Sequence, residues 1–225
     1  MKQQPVLVTD FDGTITAIDF FHLAVQRFLR PEDLLPWEQY KAGIISHFSA
    51  ISRIFAKIRE PEADILALLH ELHPDPMLPH YATQLHDAGW RVEVASAGCA
   101  WYIDKVLDSM EVNSFIVHAN PGRYMEGGPL IMEPPKESPF YSPDTGIDKA
   151  AIVRSHLDAG ADVVFAGDGL PDIPAGLLVP AGRRFARADM AAALQERGEG
   201  FIPFRIWSDV AKMILLPGFL GKSGA

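Results

Sequence analysis

The stretch Pro5-Val6-Leu7-Val8-Thr9-Asp10-Phe11-Asp12-Gly13-Thr14-Ile15-Thr16 decides the fold of this chain. Val6 to Val8 form a short unbroken apolar run, the pattern of a strand covered on both faces in a parallel sheet. Two aspartates, two positions apart, stand where that strand ends, and a turn at Gly13 with two threonines follows. Ligands of open α/β sheets bind at this carboxyl edge. Alternation places Asp10 and Asp12 on one side of an extended segment. Carboxylates so close repel each other unless a cation or a shared proton intervenes. The arrangement suits holding Mg²⁺ and attacking phosphorus.

Outward from that strand, residues 17–88 read as helices. Asp19 is expected to cap a helix carrying Phe20, Leu23, Ala24, Phe28 and Leu29, ended before Pro31. Phe48, Ile51, Ile54, Phe55 and Ile58 form a second stripe at helical spacing. Pro61 fits the first turn of a helix through Ile65, Leu68 and Leu72, and a further helix through Ala82 and Leu85 stops at Gly89. From Trp90 the pattern alternates, with strands expected at 92–95, 115–117 and 163–166 and helices between them. Residues 120–146, rich in Pro and Gly, read mostly as loop, with Leu130-Ile131-Met132 as a hairpin arm. The expected fold is α/β: a Rossmann-like parallel sheet built from 1–16 and 89–225, with a helical cap inserted at 17–88.

Composition narrows the partners. The 225 residues are 48% hydrophobic and carry a net charge of -9, with no dense Lys/Arg tract, so neither nucleic acid nor an anionic membrane is an expected partner. Cys99 is the single cysteine, which leaves no internal disulfide. The first five residues enter the strand without a signal-peptide stretch, and Met213-Ile214-Leu215-Leu216 is too short to cross a bilayer. A cytoplasmic protein, monomeric or homodimeric, is expected.

Four patches lie at strand ends or helix starts: Asp10/Asp12, Ser96, Lys149 and Asp168/Asp172. Alone, Ser96 reads as a helix cap and Lys149 as a solvated helix lysine. In this order, on one sheet edge, they supply what phosphoryl transfer needs. Asp10 emerges directly from the strand and is the candidate nucleophile. Asp12 would protonate the leaving alcohol and then deprotonate the attacking water. Ser96 and Lys149 would hold the transferring oxygens. Asp168 and Asp172 would complete a Mg²⁺ shell with Asp10 and Asp12, since that hard cation prefers oxygen ligands. Gly13, Ala97, Gly98, Gly167 and Gly169 lie in turns whose backbone N–H groups can face phosphate.

This set, Asp10-x-Asp12-Gly-Thr14, Ser96, Lys149 and Gly167-Asp168-Gly-x-x-Asp172, resembles the motifs of the haloacid-dehalogenase-like superfamily, and the helical insert resembles the cap of its phosphoserine phosphatase-like branch. The resemblance implies an Asp10 nucleophile and Asp12 acid/base, with Thr14 orienting Asp12 by hydrogen bonding. It also implies Mg²⁺ on Asp10, Asp168 and the backbone carbonyl of Asp12, with Asp172 ligating directly or steadying a bound water. The length, the insert and the long segment before Lys149 are similar to the methionine-salvage phosphatases acting on 2-hydroxy-3-keto-5-methylthiopentenyl-1-phosphate. Phosphoserine and phosphoethanolamine/phosphocholine phosphatases are the alternatives, and a phosphotransferase or a non-catalytic Mg²⁺-binding module are more distant ones. The substrate expected is therefore a small phosphorylated metabolite, its organic part met by cap residues such as Phe20, Phe21 and Arg53.

Overall fold

Residues Val6–Thr9, all buried, form the first strand (β1) of a six-stranded sheet. The structure is a computed structural model that describes residues 3–221, so the outermost ends of the expected core segments lie outside the described residues. After β1 come α1 (Phe20–Phe28), α2 (Leu35–Lys41), α3 (His47–Phe55), α4 (Glu62–His70) and α5 (Leu78–Asp87). β2 (Arg91–Cys99), α6 (Ala100–Ser109) and β3 (Ile116–Asn120) follow. Two hairpins come next, β4 (Gly122–Tyr124) with β5 (Leu130–Met132) and β6 (Tyr141–Ser142) with β7 (Gly146–Ile147). The chain continues through α7 (Lys149–Asp158), β8 (Val163–Gly167), the short α8 (Ile173–Gly176), β9 (Arg184–Ala186), α9 (Ala188–Glu196), β10 (Ile202–Pro203) and α10 (Trp207–Ile214).

The sheet order is β10-β9-β8-β1-β2-β3, parallel throughout, which is the expected α/β architecture. Alternation along β1 sends Leu7 into one apolar layer and Val6 and Val8 into the other, so both faces are covered. The layer containing Leu7 runs without a break from α6 and α10 into α1, α3 and α4. Helix α5 packs against β2 and α10, whereas α4 packs against α1 and α6. The inserted helices therefore share one apolar core with the sheet.

Sequence signals account for most element ends. Asp19 accepts from the Phe21 N–H at 2.6 Å, Ser46 from Ser49 at 3.2 Å and Asp148 from Ala151 at 3.0 Å, capping α1, α3 and α7. Pro61 is the N-cap residue of α4 rather than part of its first turn. Three features differ from the sequence reading. Strand β2 stays extended through Ser96 to Cys99, past the end of its apolar run, with a register shift against β3 between Ala95 and Cys99. Helix α2 forms around Pro36, which occupies its first turn, where a missing N–H costs nothing. Strand β9 begins with buried Arg184, a residue foreign to apolar strand patterns, whose guanidinium donates to the carbonyls of Gly176, Val179 and Gly200.

Residues 120–147 are more ordered than their composition suggests. The Tyr124 hydroxyl donates to the Glu60 carbonyl at 3.1 Å, and the Phe48 N–H donates to the Asp144 carbonyl at 2.7 Å. The hairpins thus fasten the sheet edge to the start of α3 and to the loop between α3 and α4. No helix among the described residues is long and apolar enough to cross a membrane.

Candidate active site

Sheet register brings the motif residues together. Thr9 of β1 pairs with Val94 of β2 on one side and Ala166 of β8 on the other. One or two residues further along, Asp10, Ser96 and Asp168 leave the same carboxyl edge as neighbours. The chain then doubles back tightly, with the Phe11 carbonyl accepting from the N–H groups of Thr14, Ile15 and Thr16. Lys149, first residue of α7, sends its ammonium to Asp10 Oδ1 and Asp172 Oδ1, each at 2.6 Å. The other Asp172 oxygen accepts from the Asp168 and Gly169 N–H groups at 3.0 and 2.9 Å. Asp172 is therefore occupied on both oxygens, holding the lysine and closing the turn after β8.

Asp10, Asp168 and Asp172 offer carboxylate oxygens within 4.8 Å of one another. Burial, then Asp172, push the Asp10 carboxyl well above its ordinary range, while Lys149 pulls it back. Burial and Asp172 likewise raise Asp168 to about 6. Burial opposes the charge on Lys149, but Asp10 and Asp172 outweigh it and hold the ammonium above its usual pKa. Three crowded carboxylates against one ammonium leave an excess of negative charge on hard oxygen donors. That donor set fits Mg²⁺.

Asp12 has its own surroundings. Its Oδ1 accepts from the Phe20 N–H at 3.0 Å, and its Oδ2 accepts from the Tyr102 hydroxyl. Burial, then the neighbouring Asp19, raise its pKa to about 8, which favours the protonated form that an acid needs. Opposite lies a cavity of about 170 Å³ whose far wall is formed by Phe21, Trp37, His47, Ile51 and Phe55 of α1, α2 and α3. Phe21 and Trp37 lie 4.8 Å apart, and Trp37 meets His47 at 5.9 Å. Burial lowers the His47 pKa, and its Nδ1 is buried without a hydrogen-bond partner.

The motif residues Asp10, Asp12, Ser96, Ala97, Gly98, Lys149, Asp168 and Asp172 all line this cavity, as does Phe21. Four sequence expectations are corrected. Thr14 Oγ1 donates to Asp168 Oδ1 at 3.0 Å rather than to Asp12, because the Asp12 carboxylate is turned toward Phe20 and Tyr102. The Gly13 N–H donates to Thr16 Oγ1 and is not free to meet phosphate. That glycine, at φ +75°, instead leaves room for Asp168, whose Oδ2 would lie 2.2 Å from a Cβ. Phe20 is fully buried behind the cavity, edge-on to Phe55 at 5.3 Å, because its place on α1 faces the shared apolar core. Arg53, on the outer face of α3, is exposed and does not reach the cavity. In addition, the Gly98 N–H is engaged by Ser96 Oγ at 2.9 Å, which leaves the serine hydroxyl hydrogen to face the cavity.

The sequence reading missed Tyr102 and Asn120. Tyr102 lies in the first turn of α6, and its hydroxyl comes so near Gly98 that a Cβ there would lie 1.9 Å away, a contact that no sequence spacing marks. Asn120 is fully buried at the end of β3 and donates to the carbonyls of Ala97 and Thr145, tying the Ser96 loop to the segment before Lys149. No local sequence signal marks it beyond its place at a strand end.

The 2-hydroxy-3-keto-5-methylthiopentenyl-1-phosphate phosphatase of Brevibacillus brevis is 23% identical over 218 residues, covering 95% of this chain and 96% of that protein. A substrate-bound phosphoserine phosphatase complex superposes with a TM-score of 0.65 at 16% identity, over 94% of this chain and 99% of its own. A phospho-aspartyl intermediate analogue of phosphoserine phosphatase gives 0.64 at 18% identity, over 94% and 99%. The model of the haloacid dehalogenase-like hydrolases matches residues 7–176, a span that starts inside β1 and ends with α8 after taking in every motif carboxylate and the lysine, and the chain belongs to that family.

Proposed function

We propose that this Mg²⁺-dependent phosphomonoester hydrolase works through an aspartyl phosphate on Asp10, with Asp12 as acid and then base, on a small phosphorylated metabolite whose organic part lies against the inserted helices. The observation that carries the reading is the Lys149 ammonium set between Asp10 and Asp172, with Asp168 alongside. When bound, Mg²⁺ supplies positive charge that offsets the carboxylates and the transferring phosphoryl group. Asp10, Asp168 and the carbonyl of Asp12 would hold it, with Asp172 behind.

In the first half-reaction an Asp10 carboxylate oxygen bonds to phosphorus as the bond to the leaving oxygen breaks, and the Asp12 proton passes to that oxygen. In the second, a water oxygen bonds to phosphorus while Asp12 takes its proton. The Asp10–phosphorus bond then breaks, releasing phosphate. Ser96 and the Ala97 backbone N–H would hold the equatorial oxygens. Helix α5 packs on β2 and α10, so of the expected insert at residues 17–88 the part carrying α1 to α4, residues 17–75, would serve as the cap that shields this chemistry from water.

Two readings of the leaving group stand beside this chemistry. The shared fold of solved phosphoserine phosphatases makes O-phosphoserine and the related phosphoethanolamine and phosphocholine the first compounds to test. The apolar part of the cavity wall, Phe21, Trp37, Ile51 and Phe55, suits an uncharged organic part, as does the name of the Brevibacillus relative, whereas Asp19 and His22 on the same lining suit the amino compounds. Phosphate release over that panel with Mg²⁺, together with Asp10→Asn, tests the assignment. Asp10→Asn is expected to lose turnover by about a thousandfold or more with the fold intact. Retained turnover refutes the nucleophile.

A further inference from the structure

Asp12 is gripped from two parts of the molecule at once. Its Oδ1 takes the N–H of Phe20, at the start of the first inserted helix, and its Oδ2 takes the hydroxyl of Tyr102, on α6 beneath the sheet edge. The two donors are linked, because the Phe20 ring stacks on the Tyr102 ring at 4.3 Å with 23° between planes. A buried tyrosine hydroxyl needs a partner, since an unmet one costs free energy that a phenylalanine in the same place would avoid. Here the partner is Asp12. The space for it is made by Gly98, where a Cβ would lie 1.9 Å from the Tyr102 hydroxyl and 3.1 Å from Asp12 Oδ2.

We propose that Tyr102 is a positioning residue for the acid/base. Its hydroxyl, together with the Phe20 N–H, fixes both carboxyl oxygens of Asp12 and so fixes the face presented to the leaving oxygen and, later, to the attacking water. With one donor on each oxygen, rotation about the Asp12 Cβ–Cγ bond breaks both hydrogen bonds. The acid is thereby held in register with the inserted helices as well as with the sheet. The inference rests on Asp12 having the acid/base role proposed above.

Tyr102→Phe removes the hydroxyl and keeps the ring. In stopped-flow experiments with Mg²⁺, it is expected to lower kcat on p-nitrophenyl phosphate about tenfold, with KM falling alongside so that kcat/KM stays within about twofold. The nitrophenolate leaves with little help from an acid, whereas breakdown of the aspartyl phosphate needs the base. A burst of about one nitrophenolate per active site should therefore appear. With n-propyl phosphate, whose leaving oxygen must be protonated, the loss in kcat should exceed the loss on p-nitrophenyl phosphate. Gly98→Ala, whose methyl group displaces the Tyr102 hydroxyl, should give the same signature. Parental kcat in Tyr102→Phe with no burst overturns the inference. Equal losses on both substrates with a lowered melting temperature overturn it too, since that is the mark of packing alone. Asp12→Asn run in parallel separates the two levels: if it retains turnover, the acid/base assignment itself falls.

Discussion

Replacing Lys149 with methionine tests the charge arrangement directly, because the two side chains have similar length and only the ammonium is lost. The lysine side chain is 8% exposed, and its partners Asp10 and Asp172 are 9% and 1% exposed, with both contacts at 2.6 Å. Removing one member of a buried ion pair costs about 3–5 kcal/mol, mostly because the remaining charge is stranded. One lysine serves two carboxylates here, so the upper half of that range is expected in metal-free protein. For a chain of this length that corresponds to a melting temperature lower by about 8–20 °C. Urea unfolding at neutral pH with EDTA, followed by tryptophan fluorescence, gives the value. Mg²⁺ binds the folded site only and stabilises by mass action, about 2.7 kcal/mol at a hundred times its Kd. Meeting an uncompensated pair of carboxylates, it should stabilise the variant more than the parent. A metal-free variant within about 1 kcal/mol of the parent would refute the ion-pair argument, whatever happened to activity.

Three further outcomes follow from particular contacts. Asp168→Asn removes one of the clustered carboxylates on which Thr14 is fixed, and the Mg²⁺ concentration giving half-maximal turnover should rise about tenfold or more in an EDTA-buffered titration. Gly146 has φ +80°, and a Cβ there would lie 1.7 Å from Asn120 Oδ1, so Gly146→Ala should lower stability by about 1–3 kcal/mol in urea and reduce turnover through the Ala97 loop. Glu93 is buried beneath the sheet. Burial alone would raise its pKa, but the hydrogen bond with His118 and the close His156 and Arg91 side chains bring it down to about 2. A depressed carboxyl stabilises the fold above its unfolded pKa of 4.5, and that contribution is lost as pH falls toward about 2. Glu93→Gln should therefore be less stable than the parent by about 1–3 kcal/mol at pH 7, with the gap closing between pH 4.5 and 2 in urea unfolding.

The sheet was legible because its central strands are continuous apolar runs and each ends in a residue type that such runs do not tolerate. Val6-Leu7-Val8 followed by Asp10, and Val163-Val164-Phe165-Ala166 followed by Gly167-Asp168, state both the strand and the point where it stops. Once strands are parallel neighbours, their ends meet, so Asp10, Ser96 and Asp168 needed no knowledge of side-chain packing. Lys149 was legible only through its place in the order of the four patches, since alone it reads as a solvated helix lysine. Strand β9 and helix α2 were not legible, because their identity depends on partners remote in sequence. Arg184 enters a strand only because the carbonyls of Gly176, Val179 and Gly200 surround its guanidinium.

The errors within the site share one physical origin. The sequence gives the order of groups in the loop from Asp10 to Phe20 but not which way each one turns. Thr14, two residues past Asp12, is as close in sequence to the acid as any donor can be, yet the tight turn around the Phe11 carbonyl carries its hydroxyl across to Asp168 on the neighbouring strand. The place left open beside Asp12 is filled from farther away, by the Phe20 N–H and the Tyr102 hydroxyl. Gly13 and Gly98 make the exchange possible, since a Cβ at either would strike Asp168 or Tyr102. The division of labour follows from this. One glycine admits the Asp168 carboxylate to the clustered acids, the other admits the Tyr102 hydroxyl to Asp12, and in the proposed mechanism these two carboxyl groups would serve the cation and the leaving oxygen respectively.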